Sequence, residues 1–412
     1  MEFVLRQSFW LLIAQSLVRV VSFFYTIYLA KVLGVENFGL YIVAFTYFSL
    51  ISAASDFGFN RYLIREVSKD ESNLSELLCN ISIFRLAFSA ILFAVFATFL
   101  YFIDSDKERV LFSLLAVLAV LPQTLAQSFD GIFIALRKLQ YSAVSLAVAS
   151  LSMALIGYIL VNSGYQVLGA VNALIISQFV YLTIALILLL RNSPHSIFAS
   201  VNLMTIKSLI KGSLPYGFIG ILGLLYFRID TVMLSYLKGD FETGIYGAGY
   251  RFLEAVTFIP SIFAAVLFPM LAKLHQSDIL KVRKVYFKSI KITAGVGLII
   301  FFAYLLILPG VIKSVLPSYI DAIPVIYILS LAIPFMFAHV PAVQVLLSTD
   351  KFLKPVIYLS VAMLLFNILG NLVFIPNYGF IGAAWITTAS EILSFIVFFL
   401  FVMKKVFKKQ SL

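Results

Sequence analysis

The chain has 412 residues, of which 62% are hydrophobic and only 12% charged, with a formal net charge of +11. Soluble domains carry about 25% charged residues, so a soluble enzyme and a soluble binding module are both excluded. A single cysteine, Cys79, excludes an internal disulfide framework and a cysteine-based zinc cluster.

Apolar runs of about 20 residues recur along the chain, each long enough to cross a ~30 Å hydrocarbon core. In the first half they fall near 8–30, 38–58, 78–103, 110–136, 142–162 and 166–190. In the second half they fall near 214–237, 246–270, 286–308, 322–348, 355–375 and 381–403. None alternates with period two, which rules out a strand-built barrel. The first run lacks a short apolar core followed by a small-residue cleavage site, so it reads as a retained helix rather than a signal peptide.

The basic excess follows the loops. Splitting the connecting segments into two alternating sets gives 20 lysines and arginines in the set that includes both termini. Arg61, Arg65, Lys69, Lys273, Lys281, Arg283, Lys284, Lys408 and Lys409 are among them. The opposite set holds only Lys31, Lys107, Arg109, Lys238 and Lys313. Basic residues collect on the cytoplasmic side, which places both termini in the cytoplasm and requires an even number of spans. The charge therefore reports topology and not nucleic-acid binding.

The longest break, "RNSPHSIFASVNLMTIKSLIKGS" (191–213), lies at mid-chain and reads as a cytoplasmic linker. It divides an amino-terminal six-helix bundle (1–190) from a carboxy-terminal one (214–412) that ends in a basic tail. The halves share a repeat. "YQVLGAV" (165–171) matches "YGFIGAA" (378–384), "RKLQ" (137–140) matches "KFLK" (351–354), and "ENFGLY" (36–41) matches "ETGIY" (242–246) with one deletion. Six spans separate equivalent positions, so the repeat is parallel, with an axis along the membrane normal. The expected fold is an all-α polytopic membrane protein of about twelve transmembrane helices, in two parallel-repeat six-helix bundles around a central cavity.

Charges within the spans are the candidate functional residues. An ionised group at mid-bilayer costs about 2.5–3.5 kcal/mol on insertion scales, so each needs water, a partner or a ligand. Arg19 in span one, Arg228 in span seven and Glu391 in span twelve lie near mid-span. Asp230 is two residues from Arg228, so the two point to different helical faces. Anchoring Tyr28-Leu29 on Tyr236-Leu237 sets Arg19 opposite Phe227, at a depth similar to Arg228. Arg85, Asp130 and Lys291 lie within about two turns of the cytoplasmic ends, where long side chains snorkel. Arg251 and Glu254 are spaced i,i+3 and read as a local ion pair. Arginine is suited to an anionic ligand because its planar fork binds phosphate oxygens in pairs and stays charged. The candidate substrate-binding set is therefore Arg19, Arg228, Arg85 and Arg251. The candidate ion-coupling or charge-partner set is Glu391, Asp230, Asp130 and Glu254. The competing reading, that the arginines hold helices together through carboxylates, stays open at this stage.

Other motifs carry less. Pro122, Pro215, Pro260, Pro269, Pro334 and Pro341 sit in or beside spans and kink them. "GFIGILG" (217–223) lacks the Lys-Ser/Thr of a nucleotide-binding loop. His195, His275 and His339 are scattered, so neither metal nor cofactor is expected; His339 reads as structural, with a part in proton coupling as the alternative. No catalytic constellation is present.

Against this background, "LAKVLGVENFGLYIVAFTYFSLISAASDFGFNRYLIREV" (29–67) resembles the amino-terminal signature of bacterial polysaccharide biosynthesis flippases. "FRIDTVMLSYLKGDFETGIYGAGYRFLE" (227–254) is similar to their seventh and eighth helices. The resemblance implies a superfamily shared with multidrug extrusion and lipid II flippase proteins, and a place in the cytoplasmic (inner) membrane. It implies a substrate, an oligosaccharide joined through pyrophosphate to a polyprenyl chain, of the kind used for O-antigen and other polysaccharides. It implies alternating access to that substrate, with polysaccharide polymerase and glycosyltransferases as neighbours in the pathway. A cation-coupled multidrug or small-molecule exporter on the same scaffold is the alternative, and a non-transporting scaffold for glycan-assembly enzymes a third. Protons, sodium and downstream consumption are all compatible energy sources.

Overall fold

The computed structural model describes residues 2–68, 70–192 and 199–407. Lys69, His195, Lys408 and Lys409 lie outside the described residues. Fourteen α-helices follow one another, and no strand occurs among the described residues.

The chain divides into two compact units, Met1–Arg228 and Ile229–Leu412. The first contains α1 (Glu2–Leu33), α2 (Val35–Asp56), α3 (Phe59–Val67), α4 (Leu74–Ile103), α5 (Lys107–Leu118), α6 (Val120–Ala135), α7 (Leu139–Leu160) and α8 (Gln166–Asn192). The ninth helix, α9 (Leu203–Lys238), crosses the division. The second contains α10 (Asp240–Val256), α11 (Phe258–Ser277), α12 (Ile279–Val315), α13 (Ala322–Leu347) and α14 (Leu353–Val402).

Helix α9 begins inside the stretch read from sequence as linker. Residues 203–213 are helical because Leu209 is fully buried with Leu63, Leu78, Ile132 and Phe133 of α3, α4 and α6. Spans four and eight are each broken, at Ala119 and Thr257. In both, a proline follows the break, Pro122 and Pro260, within the first turn of the new helix, where its missing N–H costs least.

Ten helical stretches among the described residues are long and apolar enough to cross a membrane. Two of them, of 54 and 55 residues, would each reach roughly 80 Å if straight, more than twice a ~30 Å hydrocarbon core. Neither is straight. Helices α7 and α8 join through a wide turn, Val161–Tyr165, and pack on each other. Helix α14 folds back at Gly379, so that Asn367 on its first arm donates to Ser390 Oγ on its second at 3.3 Å. Counting the arms gives about twelve crossings, as the apolar runs imply.

The repeat is written in the backbone of these turns. Gln166 has φ 43° and ψ −127°, and Gly379, 213 positions later, has φ 53° and ψ −135°. Glycine suits this conformation and glutamine does not. Three positions beyond each lies a tightly placed glycine. A Cβ on Gly169 would stand 3.1 Å from Leu160 backbone, and one on Gly382 would stand 2.6 Å from the Phe374 carbonyl oxygen. The turns before α2 and α10 match too, with Gly34 at φ 76° and ψ 175° and Gly239 at φ 86° and ψ −174°. Both glycine carbonyls accept the first helical bond, from Phe38 and Thr243.

Candidate functional site

Both units bury polar side chains in clusters. In the second, Asp230 of α9 is only 1% exposed. Its Oδ2 accepts from the Tyr246 hydroxyl of α10 and, at 3.1 Å, from the Thr387 hydroxyl of α14. Its Oδ1 accepts the Thr231 N–H at 2.7 Å. Three helices thus converge on one carboxylate, and hydrogen bonds to the charged form offset the cost of removing it from water. On α14, buried Asn371 donates to Asn367 Oδ1 at 3.0 Å, and Asn367 donates to Ser390, next to buried Glu391. Sequence reasoning found Asp230 and Glu391 but missed Tyr246, Thr387, Asn367 and Asn371. Asn367 and Asn371 carried a readable signal, two amides at i,i+4 in an apolar run. Tyr246 and Thr387 carried none, since their hydroxyls acquire meaning only beside Asp230.

In the first unit the cluster centres on Arg85 of α4, which has no exposed surface. Its Nη2 lies 3.2 Å from Asp56 Oδ1 and donates to Gln127 Oε1 at 2.7 Å, while Nη1 donates to Ser128 Oγ at 3.1 Å. Arg85 does not snorkel: it is fully buried, with both Nη groups engaged by α2 and α6 and its Nε without a hydrogen-bond partner. Asp130 of α6 is buried beside Ser142 and Tyr181, and its Oδ1 has no hydrogen-bond partner.

The remaining candidates are placed as follows. Arg251 and Glu254 form the expected i,i+3 ion pair at 2.7 Å. Arg251 is thereby held by its own helix. Arg19 is exposed on α1 and Arg228 half-buried on α9. Both interact with other groups of the protein, as does Glu391. Their depths differ from the sequence expectation. The matched turns at Gly34 and Gly239 put Arg19 fifteen residues and Arg228 eleven residues before the turn. That difference of four residues is about 6 Å along a helix. The anchor on Tyr28 and Tyr236 misled because it matched short side-chain words rather than the backbone turn.

His339 is partly buried, edge-on against Phe398 with ring centroids 4.6 Å apart. Among the described residues no three His, Cys, Asp or Glu side chains converge to hold a metal ion.

Residues 4–275 match the model of a family described as "Polysaccharide biosynthesis protein". The chain belongs to that family. It is 25% identical to an uncharacterised membrane protein of Methanocaldococcus jannaschii over 98% of this chain and 84% of the relative. Among solved structures it is similar to a lipid II flippase MurJ in an inward closed conformation. There the TM-score is 0.74 at 14% identity, covering 96% of this chain and 87% of that one. It is also similar to an inward-facing multidrug resistance MATE family transporter of the MOP superfamily. The TM-score is 0.71 at 17% identity, covering 98% of this chain and all of that one. A MOP superfamily transporter from Pyrococcus furiosus, described by a binding pocket of reverse polarity, aligns with a TM-score of 0.63 at 15% identity. It covers 98% of this chain and 95% of that one. This member of the polysaccharide biosynthesis family is thus a multi-pass membrane protein with the MOP transporter fold.

Proposed function

We propose that this protein is a flippase and not an enzyme, moving polyprenyl-pyrophosphate-linked oligosaccharides from the cytoplasmic to the outer leaflet by alternating access. The observation that carries this reading is the presence of Arg19 and Arg228 within apolar spans of a chain from this family. A sugar head group carries hydroxyls that cost several kcal/mol each if taken bare into hydrocarbon, so it needs a hydrated path. A diphosphate needs cations that stay charged, and arginine meets that need. Arg19 and Arg228 are assigned to the diphosphate. Glu391, Asp230 and Asp130 are assigned to charge balance or to coupling with protons or sodium. Polymerase and glycosyltransferases are expected to consume and supply the substrate.

The test is substitution in reconstituted vesicles that carry a lipid-linked oligosaccharide. Arg228→Ala and Arg19→Ala should each lower flipping at least tenfold while the protein still inserts, and Arg228→Lys should retain part of it. Normal flipping in both alanine variants sinks the reading.

A second reading, a cation-coupled exporter, is favoured by one observation, the buried oxygen cluster of Asp230, Tyr246 and Thr387. Glu391→Gln or Asp230→Asn that abolishes drug efflux while leaving glycan flipping intact would select it.

A further inference from the structure

Helix α12 has 37 residues, about 55 Å of helix, and so extends well beyond a ~30 Å hydrocarbon core. Its sequence shows where the core begins. From Ile292 to Ile312 no charged residue occurs, whereas Lys281, Arg283, Lys284, Lys288 and Lys291 crowd the preceding three turns. The junction between Lys291 and Ile292 therefore lies at the headgroup level of the bilayer.

Two concave surfaces meet at that junction. Below it, Leu280, Arg283, Lys284, Phe287, Lys288 and Lys291 line a hollow of about 660 Å³. These residues are spaced i, i+3, i+4, i+7, i+8 and i+11, so they share one helical face. Arg283, Lys284, Lys288 and Lys291 are all exposed, and no carboxylate among the described residues pairs with them. Above it, an almost wholly apolar groove of about 470 Å³ runs among α11, α12 and α13, with Phe263, Val266, Ile292, Val296 and Phe337 on its walls. Val266 is 71% and Ile292 46% exposed, so the groove opens outward. Lys288 and Ile292 are one turn apart and join the two surfaces.

We propose that these two surfaces form one binding site for an anionic phospholipid of the surrounding bilayer. Its phosphate would rest on Lys284, Lys288 and Lys291, and one acyl chain would lie against Phe263, Val266, Ile292 and Val296. Charge complementarity selects the occupant. A soluble anion would use the basic hollow and leave the groove untouched, and a neutral lipid would use the groove and leave four cations uncompensated. Only a lipid with net negative charge at its head satisfies both, and clusters of lysine and arginine immediately cytoplasmic of a transmembrane helix bind such headgroups. The site includes neither Arg19 nor Arg228, and it assigns the lysines a role beyond setting topology.

The test is native mass spectrometry of the purified full chain, titrated with phosphatidylglycerol or phosphatidylcholine of identical chains. One phosphatidylglycerol should be retained, with at least a roughly tenfold preference over phosphatidylcholine. Lys284→Gln/Lys288→Gln/Lys291→Gln should abolish the preference, and Val296→Trp, which fills the groove, should weaken retention with the lysines intact. Equal retention of the two lipids overturns the proposal. So does full displacement of phosphatidylglycerol by millimolar inorganic phosphate, which would mark a soluble-anion site. If the triple variant fails to fold, unchanged retention in Val296→Trp suffices to refute it.

Discussion

The same helical frame occurs in both units, yet each has put a buried carboxylate where the other has none. In the second unit, Asp230, Tyr246 and Thr387 form a hydrogen-bonded group. Counted back from the matched turns, 205 positions for the first helices and 213 for the folded-back pair, those places hold Tyr25, Tyr41 and Leu174. Tyr25 is buried near Tyr41, its hydroxyl against Gly157 and without a hydrogen-bond partner. In the first unit, Gln127 serves Arg85, and Asp130 sits beside Tyr181. Counted forward by the 214 of the adjacent "RKLQ" match, Gln127 and Asp130 fall on Pro341 and Gln344, and counted by 213 Tyr181 falls on Ser394. The turns of the two halves match within about 11°, while Asp230 and Asp130 have no charged counterpart in the other half. Backbone geometry is what builds the frame, so both halves keep it. A buried charge costs free energy unless a function or a partner offsets it, so each is retained once.

The largest effect that would break this comparison is expected at Arg85. Arg85→Met leaves Gln127 Oε1 without its donor and Asp56 without its cation, which should cost about 3–5 kcal/mol. A fall in the detergent melting temperature reads it, and an unchanged melting point would mean the cluster is not structural. Next come the two turn glycines. Gly382→Ala drives a methyl against the Phe374 carbonyl and should cost about 1–3 kcal/mol, whereas Gly169→Ala, with looser contacts, should cost visibly less. Equal melting temperatures for these two variants would show that the turns are not used alike.

The two tyrosines sharpen the contrast further. Tyr246→Phe strips Asp230 of a donor and should lose about 1–3 kcal/mol. Tyr25→Phe removes a hydroxyl that has no partner and should be neutral or slightly stabilising. Smaller again is Gln166→Gly, which gives the first turn the residue used at Gly379. Removing a non-glycine from φ 43° should raise stability by about 1 kcal/mol. A loss would show that the Gln166 side chain holds the turn.

The smallest effect concerns pH at the α4–α5 corner. Burial opposes ionisation of Asp104, but Arg109, gripping it at 2.6 and 2.8 Å, and the Asp106 N–H outweigh that and hold its pKa below the usual carboxylate range. A depressed folded pKa means stability that is present above the unfolded value, near 3.9, and lost as pH falls through the folded one. Hydrogen exchange at residues 104–110 should therefore quicken only in strong acid, and not in Asp104→Asn.

Much of this is legible in the sequence. The apolar runs fixed the spans because hydrocarbon tolerates only long, internally bonded helices. The words around Tyr165 and Tyr378 located two turns that later proved to share dihedral angles. The ion pair of Arg251 and Glu254 was readable because helical spacing alone brings i,i+3 side chains together. Arg85 was not, because its partners lie 29, 42 and 43 positions away and no local rule links them. The sequence by itself therefore determined a polytopic helical protein of two repeated halves and singled out its buried charges. Tertiary structure decided which charges are spent on partners from other helices, because that depends on which side chains packing brings within hydrogen-bond reach, and spacing along the chain encodes this only within one helix.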